Sequence, residues 1–133
     1  MPLTIEGIDH VVLRVTDMTR SLDFYTRILG LPLERIVESL GLHQLRAGAN
    51  LIDLVPTTAL GPEESRGLDH LCLTARGDLT SVQAMLAAEN VPILRGPVEV
   101  YGARGFGTSL YIADPNGYTI ELKFPAARPV RFP

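Results

Sequence analysis

His10 and His70 stand in matching surroundings, Ile8-Asp9-His10-Val11-Val12-Leu13 and Leu68-Asp69-His70-Leu71-Cys72-Leu73, 60 residues apart. Each half of the chain also places a carboxylate among aliphatic residues, Asp53 in Leu51-Ile52-Asp53-Leu54 and Glu121 in Thr119-Ile120-Glu121-Leu122. Two neutral imidazoles with one or two carboxylates form a nitrogen and oxygen donor set suited to one divalent ion, Zn, Ni, Fe(II), Mn or Co, with positions left for water or substrate. Taken singly, a histidine or acid in a strand is more often a hydrogen-bonded structural residue than a ligand. Jointly the balance changes, because a carboxylate on an inward strand face is costly unless paired or metal-bound. Two acids and two histidines at matched positions therefore point to a shared metal site of His10, His70 and Glu121. Asp53 is either a fourth donor or, one methylene shorter than Glu, an acceptor that reaches the ion through water.

The elements that must position these residues follow from the repeat. Leu31-Pro32 returns as Val91-Pro92 at the same spacing, whereas Asp53 and Glu121 are 68 apart. The second half thus carries about eight extra residues, most simply in the glycine-rich Tyr101-Gly102-Ala103-Arg104-Gly105-Phe106-Gly107. Three matches in one order argue for duplication of a module too small to fold alone. Module one, about 6–56, reads as a strand at 6–15, a helix capped by Asp17 or Thr19, and strands at 33–40, 42–47 and 50–55. The helix carries Leu22, Tyr25, Ile28 and Leu29 on one stripe and stops at Gly30 and Pro32. After a linker at 56–66, module two, about 67–124, repeats the plan with a strand at 67–75, a helix at 79–89 capped by Asp78 or Thr80, and strands near 92–100, 107–113 and 118–124. Asp114-Pro115-Asn116-Gly117 is the turn before the last strand. The order is βαβββ twice, an α+β class within one domain of residues 1–133, with proline-rich 125–133 as an extended C-terminal arm.

Side chains alternate along a strand, so parity sorts the polar residues. His10 shares a face with Ile8, Val12 and Arg14, opposite Val11, Leu13 and Val15; His70 lies with Cys72 and Thr74, and Glu121 with Thr119 and Lys123. In each strand the apolar face is expected to carry the helix and the other to look into a concavity of mixed polarity. Around it, Arg14 is a candidate for a substrate carboxylate, although a strand-end arginine is more often a surface ion pair. Tyr101, Arg104 and Phe106 are further substrate-binding candidates, in a loop whose glycines suit either a mobile lid or a plain connection. His43 has no mate in the other module and reads as exposed or structural. Cys72 has no activating partner and reads as a small pocket or core residue.

Composition narrows the partners. Twelve basic against fifteen acidic residues give a net charge of -3 without a basic run, which argues against nucleic acid. No apolar stretch approaches the ~18 residues of a membrane span. One cysteine forbids an internal disulfide, so a soluble, unprocessed, cytoplasmic protein is expected. A phosphate loop, paired zinc-finger cysteines and a serine nucleophile elbow are all missing from the sequence.

The duplicated modules, with IDHVVLRV, LDHLCLTA and DPNGYTIEL, resemble the vicinal oxygen chelate superfamily over residues 6–124. That superfamily includes glyoxalase I, extradiol dioxygenases, bleomycin and fosfomycin resistance proteins and methylmalonyl-CoA epimerase. The stretch GPVEVYGARGFGTSLYIADPNGYTIEL is similar to small single-domain glyoxalase-like proteins. The resemblance implies curved, antiparallel-rich mixed sheets around a central cavity, and one divalent metal per site on His10, His70 and Glu121. The fourth glyoxalase position falls on Asp53, where glyoxalase I usually has Glu and the small glyoxalase-like proteins often His. A homodimer with two sites is implied, each site built within a chain or across the dimer. So is a lyase or isomerase whose small-molecule substrate binds through vicinal oxygens, with Glu121 or Asp53 moving a proton through an enediolate. An Fe(II) extradiol dioxygenase and a non-catalytic binder of a small molecule such as an antibiotic are the alternatives.

Overall fold

Aliphatic alternation makes strand β1 of His10–Val15, and its backbone pairs in parallel with β4, Asn50–Pro56. The expected start at residue 6 is too early. His10 is registered on Leu51, next to the first residue of β4, so the strand's partner is exhausted there. Before it, the chain is held at single points, by the Asn50 side-chain amide donating to the Ile8 carbonyl and the Leu51 N–H donating to Asp9. The computed structural model describes residues 2–126. The arm expected at 125–133 therefore lies, from residue 127 on, outside the described residues.

The chain divides into two compact units, split between Gly61 and Pro62. The first holds β1, helix α1 (Met18–Leu22), β2 (Leu33–Val37), β3 (Leu42–Ala47) and β4 in a sheet of order β1-β4-β3-β2. The second holds β5 (Leu71–Thr74), α2 (Leu79–Ala88), β6 (Ile93–Gly102), β7 (Gly105–Ala113) and β8 (Thr119–Pro125), in the order β5-β8-β7-β6. Both are four-stranded mixed sheets, with one parallel pair (β1/β4, β5/β8) and antiparallel pairs elsewhere. The βαβββ order read from the repeat is the order observed. Asp17 caps α1 through the Arg20 N–H, and Asp78 caps α2 through Ser81; the alternatives Thr19 and Thr80 do not.

Two local expectations are corrected. The first helix changes pitch: after Leu22 it continues as a π-helical stretch, Asp23–Ile28, closed by the Leu29 N–H bonding to the Phe24 carbonyl. The Thr26 hydroxyl donates to the Leu22 carbonyl at 2.5 Å, competing for an acceptor that an α-helical turn would use. The wider turn rotates the buried stripe, so Phe24 joins Tyr25 in the core while Leu22 is only half-buried. Secondly, Tyr101–Phe106 is not a loop. Tyr101 pairs with Phe106 and Gly102 with Gly105 in the β6–β7 hairpin, leaving only Ala103 and Arg104 as the turn. Gly105 closes it at φ +81, a left-handed conformation that glycine takes without steric cost.

Each sheet buries one predominantly apolar face. Leu13, Val15, Leu45, Ile52 and Leu54 form it in the first unit; Leu110, Ile112, Ile120 and Leu122, with Leu86 of α2, form it in the second. The opposite faces carry the polar residues, as parity predicts, but unevenly. His10, Val12 and Arg14 on edge strand β1 are exposed, whereas Asp53 on the inner strand β4 is buried. In the second unit Glu121 and Lys123 of inner strand β8 are buried while Cys72 and Thr74 of edge strand β5 are exposed.

Candidate metal centre

In the second unit, the parallel register sets Cys72 of β5 beside Glu121 of β8, and the antiparallel register sets Tyr111 of β7 on its other side. His70, two residues before Cys72, reaches across so that its Nε2 lies 3.0 Å from Glu121 Oε1. The other carboxylate oxygen, Oε2, accepts from the Ser109 hydroxyl at 2.6 Å. Tyr111 flanks Glu121 in register, burial and then the Glu121 charge push its phenol up, and its ring meets His70 edge to face at 5.6 Å between centres. At the far side of the imidazole, Nδ1 is 2.6 Å from Asp69 Oδ2.

The first unit repeats the plan with smaller means. His10 Nδ1 is 2.7 Å from Asp9 Oδ1. The register places Asp53 opposite Val12 on one side and Gln44 on the other, so Gln44 takes the place that Tyr111 has in the second unit. The Gln44 amide donates to both Asp53 oxygens, at 3.2 and 3.3 Å. Asp9's hydrogen bond and Asp53's charge hold the His10 imidazole above its ordinary value against the opposing effect of desolvation.

The structure thus brings His70 into contact with Glu121, whereas Asp53 acts on His10 only through its charge, without an ion pair between them. Among the described residues no three His, Cys, Asp or Glu side chains are gathered within reach of one ion. The chemistry of the His70–Glu121 pair nonetheless fits a divalent cation. Two donors about 2.1 Å from an ion and at right angles lie about 3.0 Å apart, the separation of His70 Nε2 and Glu121 Oε1. An imidazole whose remote nitrogen donates to a carboxylate is the usual form of a ligating histidine, and both histidines have it.

Of the other expected site residues, Arg14 is exposed on the His10 face. Tyr101 and Phe106 are exposed with ring centres 5.1 Å apart, and Arg104 occupies the hairpin turn. The half-buried His43 is bonded at Nδ1 to the Gly41 carbonyl and has a structural place. Cys72 is exposed, not core; desolvation and then the neighbouring Glu121 carboxylate push its thiol up to about 11, so it is no nucleophile at neutral pH. Sequence reasoning passed over Asp9 and Asp69, although both precede their histidine in the repeat itself. It also passed over Gln44, Ser109 and Tyr111, which become visible only once the third strands are registered on the fourth.

Comparison with known proteins agrees with this architecture. Residues 7–122 match the family model of the Glyoxalase/Bleomycin resistance protein/Dioxygenase superfamily, and the chain belongs to that superfamily. Lactoylglutathione lyase of Escherichia coli O157:H7 is 34% identical over 122 residues, covering 85% of this chain and 88% of that protein. Virulence protein STM3117 of Salmonella typhimurium is 32% identical over 124 residues, 90% of this chain and 85% of the relative. Its crystal structure superimposes with a TM-score of 0.77 over 93% of this chain and all of that one. The fosfomycin resistance protein FosX of Listeria monocytogenes, at 18% identity, shares the fold with a TM-score of 0.72 over 90% of this chain and 92% of its own.

Proposed function

We propose that the protein is a divalent-metal-dependent lyase or isomerase of glyoxalase type, acting on a small molecule that presents two vicinal oxygens. The observation that carries this reading is the His70–Glu121 pair, braced by Asp69 and Ser109, with its counterpart of His10 and Asp53 braced by Asp9 and Gln44. A complete donor set takes one pair from each module, His10, His70 and Glu121 with Asp53 as the fourth; the two modules come from one chain or from two copies in a homodimer with two sites. The bound ion, one of Zn, Ni, Fe(II), Mn or Co, supplies Lewis-acid stabilisation of negative charge on the substrate's oxygens.

The remaining steps belong to the chain's own groups. Asp9 and Asp69 fix the ring orientation and keep the proton on Nδ1, leaving Nε2 as a lone pair. Loosened from the ion as substrate arrives, Glu121 Oε1 would be free to take a proton from one carbon and return it to the next. Ser109 holds the carboxylate in place during the transfer. Similarity to lactoylglutathione lyase makes the hemithioacetal of methylglyoxal and glutathione the first substrate to test. Metal-loaded protein should isomerise it, and Glu121→Gln should lose turnover by about a hundredfold or more while remaining folded. Full activity in that variant defeats the assignment of Glu121 as base.

A second reading draws on the hold of Gln44 on both Asp53 oxygens. If Asp53 stays with Gln44, two histidines and one carboxylate remain, the triad of Fe(II) extradiol dioxygenases. Oxygen uptake with a catechol distinguishes it, because isomerisation consumes none.

A further inference from the structure

Arg95 lies on β6 in register with Tyr111, and its guanidinium carbon sits 5.5 Å from the centre of that ring. The same ring meets His70 at 5.6 Å, and Tyr111 stands in register beside Glu121. Among the described residues no carboxylate forms an ion pair with Arg95, whereas Arg27 and Arg46 are engaged by Asp23 and Glu34. The arginine is therefore parked on the aromatic ring that borders the proposed metal donors, with its donor fork unclaimed. Stacking on an aromatic face fixes the guanidinium plane without using its N–H groups.

We propose that Arg95 is a specificity-determining residue that receives a carboxylate of the substrate, placed a few bonds from the two vicinal oxygens. The proposal rests on the metal-dependent reading above. The two separations measured on one ring bound the reach from imidazole to guanidinium to the length of a short linear acid. A planar carboxylate matches the arginine fork in two parallel hydrogen bonds. A singly charged group suits this position better than a dianion, because the carboxylates of Glu121 and Asp69, both in contact with His70, repel added negative charge. Neither the spacing nor the parity of the strands marks Arg95 out. The β6–β7 register is irregular between Arg95 and Val98, and this irregularity sets which residue faces Tyr111.

The test uses full-length, metal-loaded protein and two chelating probes titrated calorimetrically: acetohydroxamate, which offers vicinal oxygens alone, and succinic acid monohydroxamate, which adds a terminal carboxylate. Wild type should bind the second about tenfold more tightly than the first. Arg95→Met, which keeps an apolar stem on the Tyr111 ring, should lose that preference while retaining acetohydroxamate affinity, metal content and thermal stability. An equal affinity for both probes in wild type, or a preference that survives in Arg95→Met, overturns the role of Arg95 and leaves the metal reading standing. Failure of wild type to bind acetohydroxamate at all overturns both.

Discussion

Asp9 and Asp69 each hold Nδ1 of the histidine that follows, leaving Nε2 for the site, and the quality of each half-site depends on that bond. Asp69→Asn keeps the shape but weakens the hold on His70 Nδ1, and should lower metal affinity by about 10- to 100-fold in a competition titration. At His10 the effect is also visible in pH. Its imidazole titrates above the ordinary 6.5, chiefly through Asp9. A metal needs the unprotonated ring, so protons compete up to a higher pH than at an ordinary histidine. Metal affinity should therefore fall as pH drops through a midpoint above 6.5, and Asp9→Asn should move that midpoint down. An unmoved midpoint places the titration elsewhere. Cys72 gives an independent readout, being the only thiol in the chain. With its pKa raised from 9.0 to about 11, the thiolate fraction at pH 8 is depressed roughly a hundredfold. Alkylation by iodoacetamide in metal-free protein should be correspondingly slow, and Glu121→Gln should accelerate it.

At the scale of elements, close approach between strands rests on individual glycines. A Cβ at Gly107 of β7 would lie 2.5 Å from the Phe124 carbonyl and 3.0 Å from the Pro125 Cα, both backbone atoms that cannot swing aside. Gly107→Ala should cost about 1–3 kcal/mol, read as a melting temperature lower by several degrees; unchanged melting would show that β7 and β8 can separate without loss. Gly102 gives room of another kind, since the buried Lys123 passes against it to donate to the Gly105 carbonyl and fasten the hairpin tip. That fastening explains why 101–107 reads as a loop in sequence yet pairs as a hairpin. Glycine content signals a loop only when nothing else needs the space, and here it admits a lysine and a neighbouring strand. The π-helical stretch was equally hidden, because the hydroxyl of Thr26 overrides a regular stripe of Leu22, Tyr25, Ile28 and Leu29. By contrast, the βαβββ order of elements along the chain, the cap residues Asp17 and Asp78, and the polar faces of β1, β4, β5 and β8 are legible. They depend on local period and on a repeat printed in the residues themselves.

For the whole molecule, duplication does the organising: two copies of one small sheet each present an imidazole from an edge strand and a carboxylate from the adjacent inner strand. His10, His70, Glu121 and Asp53 were legible as candidates because they recur at matched places. Their surroundings are not, because Gln44 and Tyr111 are different residues at one register position, and identity is what a repeat displays. No helix among the described residues is long and apolar enough to cross a membrane. The central claim is that one divalent ion draws on both copies, and the most direct measurement is metal content after dialysis of wild type, His10→Ala and His70→Ala side by side. The account predicts one ion per site in wild type and its loss from both variants, with folding retained. Full metal content in His10→Ala would contradict it, confining the ion to His70 and Glu121 and leaving the first module without a part in the chemistry.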